Sequence, residues 1–264
     1  MKKVILLALT LLIITLSPVT YAQNFESYTE NINNIPDFTQ FNDQLPYRGG
    51  TLCGPTAVSN SIMWLSENGY PLLTNGKNQI EVIKELTSDM NADEFGANVE
   101  KLMKGIKTYI EKRGYRIKTF IYHGRKNDQG IRPDLELAKR VLKNNGAVWF
   151  NVGWYTYRNE FGQDVYEKNG GHWVTLVGYG NNGTNDDPNY LIIHNPSTRS
   201  EINKNDYVEL IPLRNALMRG IPGKKYKGLP TNSNGYYKLG ANMKINKKKG
   251  DTAILEGMVV LELL

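Results

Sequence analysis

The chain has 264 residues, 40% of them hydrophobic and 22% charged, with 32 basic and 26 acidic side chains. This length suits one large domain, or a domain with an insertion, and is enough for a substantial core. The formal charge of +6 is mild, and the basic residues are scattered, which argues against nucleic acid as a partner. The single cysteine, Cys53, excludes an internal disulfide framework and a cysteine-based zinc site.

Residues 1–22 have the pattern of an export signal. Lys2 and Lys3 precede an apolar run over residues 4–16, a Ser-Pro pair breaks the run, and residues 20–22 offer small side chains at the cleavage-site positions. The run is short for a membrane span, so we expect a secreted, periplasmic or cell-surface protein without stable membrane insertion after cleavage. An uncleaved membrane anchor is the alternative.

Cleavage after Ala22 would leave one domain of residues 23–264. The signal holds two lysines and no acidic residue, so the formal charge would fall from +6 to +4. Residues 23–50 are polar and rich in asparagine, and we expect them to form an extended arm that leads into the domain.

The first half of the domain is predicted to be helical. Pro55 favours the first turn of a helix, and apolar residues follow at helical spacing to about Glu67. Two further helices are predicted near residues 78–88 and 95–113, each with its own apolar stripe.

Strand-like runs dominate the second half. An alternating run at residues 115–122 and a short helix at 133–144 come first. The remaining predicted strands lie at residues 147–155, 172–179, 190–194, 207–210, 236–245 and 252–261. Helices followed by strands predict an α+β fold, with a helical half, an antiparallel sheet half and an active-site cleft between them.

Cys53 lies just before the predicted start of the first helix. A helix N-terminus offers free amide donors and a partial positive charge, and both stabilise a thiolate, the nucleophilic form of the side chain. A structural cysteine would more naturally lie on the apolar stripe inside the helix. Cys53 is therefore a candidate nucleophile, and a small buried hydrophobic residue is the alternative.

Three histidines could supply a base for this nucleophile. His172 follows Gly170 and Gly171, and we expect it to open a strand after a tight turn, at the mouth of a cleft. His123 is predicted to be a surface residue. Asn195 ends the next predicted strand and can orient an imidazole by accepting a hydrogen bond from it, although His194 competes for either role.

Three short segments of the chain resemble the papain-like cysteine peptidases. Cys-Gly-Pro-Thr-Ala at residues 53–57 is similar in particular to the C39-like branch of that clan. Gly-Gly-His-Trp-Val-Thr-Leu-Val-Gly-Tyr-Gly at 170–180 resembles the histidine strand, and Asn195 followed by Pro196 resembles the position of the third catalytic residue. The order Cys, His, Asn is also the order of the clan.

The resemblance implies a papain-like fold in which the helical half carries the nucleophile. It implies that Cys53 attacks an amide carbonyl of a peptide or protein substrate, with His172 as acid and base and Asn195 as its orienter. It also implies a glutamine donor to the oxyanion, for which Gln44 is the best match and Gln40 the second choice. No metal or organic cofactor is implied.

Other functions are compatible with the same residues. Deamidation and acyl transfer use the same triad on the same fold. Cell-wall amide hydrolysis is a further alternative, in which His194 would be the third catalytic residue. A secreted binding module that has lost activity is the alternative outside the enzymes.

Two aromatic features have two interpretations each. Trp173, next to His172, either shields the site or packs as an ordinary strand residue. Residues 151–162 are aromatic and lie between two predicted strands, so they either bind substrate or form an exposed hairpin.

Overall fold

The computed structural model describes residues 34–125, 131–197, 205–220, 230–240, 243 and 250–264. The predicted export signal lies outside these residues. In the part of the chain that is described, no helix is both long enough and apolar enough to cross a membrane.

Four α-helices carry the helical part of the described chain. They are α1 (Cys53–Glu67), α2 (Gln79–Asp89), α3 (Val99–Glu111) and α4 (Leu135–Lys143). Asn78, Asn98 and Asp134 cap α2, α3 and α4 by accepting a backbone N–H of the first turn. In contrast, α1 follows Leu52, whose side chain does not cap the helix.

The described strands form one nine-stranded sheet. They are β1 (Ile117–Gly124), β2 (Ala147–Glu160), β3 (Gln163–Asn181), β4 (Asp186–His194), β5 (Asp206–Pro212), β6 (Leu217–Arg219), β7 (Thr231–Asn232), β8 (Tyr237–Leu239) and β9 (Thr252–Leu263). The order is β1-β9-β8-β5-β4-β3-β6-β7, and β2 pairs with both β3 and β9. The pairing of β3 with β6 is parallel, whereas the other strand pairs described are antiparallel.

The two faces of the sheet contribute to two separate apolar cores. Along β3, Trp173 and Val177 pack with α1, α2 and α3, while Val174 and Leu176 pack with α4, as the alternation of a strand requires. The Trp149 indole N–H and the Thr175 hydroxyl both donate to the Ala57 carbonyl, at 3.1 and 2.7 Å. These two bonds hold α1 across β2 and β3.

The predicted α+β fold, with its helical half before an antiparallel sheet, is confirmed. One local expectation was wrong, because no turn precedes His172. Strand β3 begins at Gln163 and runs straight through Gly170 and Gly171, which pair with β2 opposite Trp154 and Gly153. Continuous pairing with the long β2 strand keeps both glycines extended, and the irregularity is a bulge just before Gly170.

Candidate active site

Cys53 is the first residue of α1 and is partly exposed. The first turn of α1 contains no acidic side chain, so the partial positive charge of the helix N-terminus is not offset there. This position favours the thiolate form of the side chain. Gly54 is buried beside it, and a Cβ at Gly54 would lie 3.2 Å from Leu102 Cδ1. The absence of a side chain at Gly54 therefore allows α1 to pack closely on α3.

His172 and Asn195 form a buried pair. The His172 Nε2 atom lies 2.8 Å from Asn195 Oδ1, and the two residues are 5% and 1% exposed. The Ser197 backbone N–H donates to the same Oδ1 atom at 3.1 Å, which fixes the oxygen of the Asn195 amide on this side. His172 must then donate from Nε2, and Nδ1 is the nitrogen that can accept a proton.

Trp154 covers this pair. Its ring stacks on the His172 imidazole, with 5.6 Å between ring centroids and 23° between planes, and the residue is 3% exposed. A buried ring over the imidazole keeps water away from the His172–Asn195 hydrogen bond and strengthens it. Trp154 lies in segment 151–162, whose aromatic composition predicted a possible role in substrate binding. The sequence alone did not single out Trp154 within that segment.

Trp173 joins the helix start to the histidine strand. Its indole N–H donates to the Ala97 carbonyl at 2.9 Å, and its Cδ1 would lie 3.4 Å from a Cβ at Gly54. The residue after Cys53 therefore contacts the residue after His172. Trp173 is therefore a packed strand residue. The ring that stacks on His172 is that of Trp154. The other end of segment 151–162 is an exposed hairpin tip at Phe161.

Comparison with known proteins identifies the family of the chain. The model of the Peptidase_C39 like family matches residues 32–216, well over half of the chain. The chain belongs to this family. The match includes Cys53, His172 and Asn195, and membership supports an enzyme of the cysteine peptidase type.

A solved structure assigned to the C39-like peptidases, from Bacillus anthracis, is 11% identical to this C39-like chain. The likeness covers 89% of this chain and 98% of the other, with a TM-score of 0.41, a value too low to add to the family assignment. No curated protein matches the chain.

The two candidate glutamines of this C39-like protein occupy different environments. Gln44 is exposed, and its backbone N–H donates to Asn42 Oδ1 at 2.9 Å. Gln40 is buried, and its Nε2 donates to the Gly49 and Gly50 carbonyls at 3.0 and 3.1 Å. The structure thus connects Gln40, and not Gln44, to the loop that leads into Cys53.

Gln40 also contacts the asparagine end of the site. Its backbone N–H donates to the Pro196 carbonyl at 2.8 Å, directly after Asn195. Tyr47, Arg48 and Gly49 all have left-handed backbone angles, with φ of 54°, 50° and 74°. Such angles cost about 1–2 kcal/mol for each non-glycine residue, so the two bonds from Gln40 stabilise a strained loop four residues before the nucleophile.

The remaining histidines lie outside the pair. His194 is buried, with Nδ1 at 3.1 Å from the Pro36 carbonyl and Nε2 at 3.0 Å from Asn205 Oδ1. Burial lowers the pKa of His194 below its ordinary value. His123 is half-buried in β1, where a surface residue was predicted, and its Nδ1 has no hydrogen-bond partner among the described residues.

The part of the chain that the structure describes contains no cluster of three or more His, Cys, Asp or Glu side chains placed to hold a metal ion.

Proposed function

We propose that the protein is an exported cysteine peptidase that hydrolyses peptide bonds, with Cys53 as the nucleophile, His172 as acid and base and Asn195 as the orienter of His172. The observation that carries this proposal is the buried His172 Nε2–Asn195 Oδ1 hydrogen bond, on a strand that packs against the start of the Cys53 helix. Family membership supports the enzyme class, and the pattern of residues 1–22 supports export.

The His172–Asn195 hydrogen bond supports one route for the proton in the proposed reaction. Because Nε2–H is bound to Asn195, Nδ1 of His172 takes the thiol proton and becomes part of an imidazolium. The Cys53 thiolate attacks the carbonyl carbon, and the C=O electrons move to oxygen, where the amides at the start of α1 stabilise the charge. Collapse breaks the C–N bond, and His172 protonates the leaving amine. Water, deprotonated by His172, then hydrolyses the thioester.

Burial and contacts favour Gln40 over Gln44 as the glutamine that acts on the segment before Cys53. The Gln40 amide donates both of its hydrogens to the Gly49 and Gly50 carbonyls. It would have to release one of them to reach an oxyanion. In this proposal Gln40 first positions the loop before Cys53, and donation to the oxyanion requires movement of that loop.

Asn195, and not His194, is the proposed third residue. Both His194 nitrogens are engaged with Pro36 and Asn205, whereas Asn195 already holds His172. This arrangement does not favour cell-wall amide hydrolysis with a second histidine. Deamidation and acyl transfer would use the same three residues, and analysis of the products separates them from peptide hydrolysis.

The proposal is tested by alkylation of Cys53 with iodoacetamide across a pH series, in the purified protein and in His172→Ala. An ordinary thiol has a pKa of about 8.5 and reacts little below about pH 7. We expect the native protein to react well at about pH 5–6 and the variant only near alkaline pH. Equal, alkaline-only reaction in both proteins would show that no thiolate–imidazolium pair exists.

Digestion of a mixed peptide library then tests the reaction itself. We expect new N-termini with the native protein and none with Cys53→Ser. Release of ammonia without new N-termini would assign the site to deamidation.

A further inference from the structure

One large apolar side chain is exposed in a loop that packs against the segment around the candidate nucleophile. Phe95 is 88% exposed, in the loop between α2 and α3. Most phenylalanine side chains are buried in folded proteins, because exposing the ring to water is unfavourable. An exposed aromatic ring in a loop that packs against the segment around a nucleophile is a candidate contact for a ligand.

The loop that carries Phe95 is attached to the segment around Cys53. The Thr51 hydroxyl donates to the Asp93 carbonyl at 3.0 Å. Gly96 has a left-handed φ of 85°, and a Cβ there would lie 2.9 Å from the Thr51 carbonyl oxygen. Asp93 and Gly96, which lie on either side of Phe95 in the sequence, therefore both contact Thr51. Thr51 is two residues before Cys53.

The same loop is also attached to the histidine strand. The Trp173 indole N–H donates to the Ala97 carbonyl at 2.9 Å, and Ala97 Cβ would lie 3.5 Å from a Cβ at Gly54. Phe95 is thus connected through Ala97 to the residue after His172 and to the residue after Cys53. Its position relative to both reacting groups is set by packed backbone.

The Phe95 backbone is itself held in place. Its N–H donates to Asp93 Oδ1 at 2.9 Å, and the Gly96 N–H donates to the Asp93 carbonyl at 2.9 Å. Lys101 binds the other carboxylate oxygen at 2.6 Å, and this hydrogen bond is the main reason that the pKa of Asp93 lies below its ordinary value. One carboxylate oxygen of Asp93 thus holds the Phe95 N–H, and the other is held by Lys101.

We propose that Phe95 is a specificity-determining residue, whose ring packs against an apolar side chain of a peptide substrate close to the scissile bond. This inference rests on the proposed function and names its substrate class: peptides with an aromatic or branched aliphatic residue near the cleaved bond. A fixed backbone and a free ring suit this role, because the loop loses little conformational freedom when substrate binds.

The chain contains a matched control. Phe161 is fully exposed at the tip of the β2–β3 hairpin, and no hydrogen bond among the described residues connects it to the site. Phe95→Ser and Phe161→Ser remove the same exposed ring from two places. Because both rings are exposed, neither change should lower the thermal midpoint by more than a degree or two.

The test uses peptidyl chloromethyl ketones that alkylate the cysteine, with Phe, Leu, Ser or Asp at each of the two positions before the ketone. We expect the native protein and Phe161→Ser to react about 10- to 100-fold faster with the apolar reagents. In Phe95→Ser this preference should fall to within about 3-fold. The rate with iodoacetamide, which has no peptide portion, should be the same in all three proteins.

Several outcomes would overturn the inference. They are the absence of an apolar preference in the native protein, a preference that survives in Phe95→Ser, and failure of the peptidyl reagents to react with a thiol that iodoacetamide labels at acidic pH. In each of these cases the iodoacetamide profile still reports whether the thiolate–imidazolium pair exists. Failure of this inference can thus be told apart from failure of the proposed function.

Discussion

At the scale of single residues, Asn195 determines which nitrogen of His172 carries the proton. Its Oδ1 accepts from His172 and from both the backbone N–H and the hydroxyl of Ser197, at 2.8, 3.1 and 2.8 Å. The amide cannot rotate without losing all three bonds. Tautomer and ring orientation are therefore set before substrate arrives, which is the condition for efficient general base catalysis.

Replacing Asn195 with Ala should lower kcat/KM about 100-fold, because His172 loses its orienter and part of the acid–base contribution. His194→Gln is the matched control, since His194 is the adjacent residue and faces Pro36 and Asn205. Steady-state kinetics on one peptide substrate measure both. A larger loss in His194→Gln than in Asn195→Ala would assign the third role to His194.

The two glutamines should behave differently on substitution. Gln40→Ala removes two buried hydrogen bonds and should lower the free energy of unfolding by about 1–3 kcal/mol, together with the activity. Gln44→Ala removes an exposed side chain and should change stability by less than about 0.5 kcal/mol. Denaturant unfolding and kcat measure the two effects. Loss of activity in Gln44→Ala with full stability would restore Gln44 as the oxyanion donor.

At the scale of elements, His194 connects the chain segment before α1 to the end of β4. Its imidazole contacts the Pro36 carbonyl and Asn205, and Gln40 continues the contact at Pro196. A carbonyl oxygen can only accept, so Nδ1 of His194 donates to Pro36, and Nε2 lies 3.0 Å from Asn205 Oδ1. Burial disfavours the charged form of the ring and lowers the pKa of His194 in the folded protein.

This shift predicts a loss of stability at acidic pH. The folded pKa of His194 lies below its value of 6.5 in the unfolded chain, so the unfolded chain takes up the proton first. Stability is unaffected well above pH 6.5 and decreases as pH falls from 6.5 through the folded pKa. Thermal midpoints from about pH 8 to 5 should show this decrease in the native protein and less of it in His194→Gln. An equal decrease of the thermal midpoint with falling pH in both proteins would contradict this prediction.

At the scale of the whole molecule, a buried charged cluster connects several strands of the sheet. Glu256 is fully buried in β9, where its carboxylate binds Lys168 of β3 and the Tyr155 hydroxyl of β2. Arg125, after β1, lies 3.7 Å from the same carboxylate and donates to the Met218 carbonyl of β6 at 2.9 Å. The cluster thus joins five strands or strand ends.

Removing Glu256 should therefore be costly. Glu256→Ala leaves Lys168 and Arg125 buried without a counter-charge, and we expect the free energy of unfolding to fall by about 3–5 kcal/mol. Glu160→Ala breaks a partly exposed pair with Arg219, at 2.7 Å, and should cost about 0–1 kcal/mol. Urea denaturation of both variants measures the difference. Equal small losses would show that the cluster contributes little to stability.

Local signals in the sequence located several elements well. The end of the helix at residues 53–67 was predicted as observed, because its apolar spacing is a local feature. Strand β3 was predicted too short because Gly170 and Gly171 read as a turn, while pairing with β2 keeps them extended. The sequence predicted a strand around Glu256 but not its buried charged cluster, because its partners on β2 and β3 are distant in sequence.

The sequence by itself determined the class of the fold and the identity of the main candidates, Cys53, His172 and Asn195. Those follow from side-chain chemistry and short-range spacing, which act within a few residues. Only the tertiary structure decided that Trp154 stacks on the imidazole and that Gln40 contacts the loop before Cys53. It also decided that His194 contacts Pro36 and Asn205. Periodicity indicates which face of an element a side chain occupies, but its partner there depends on contacts between segments far apart in the chain.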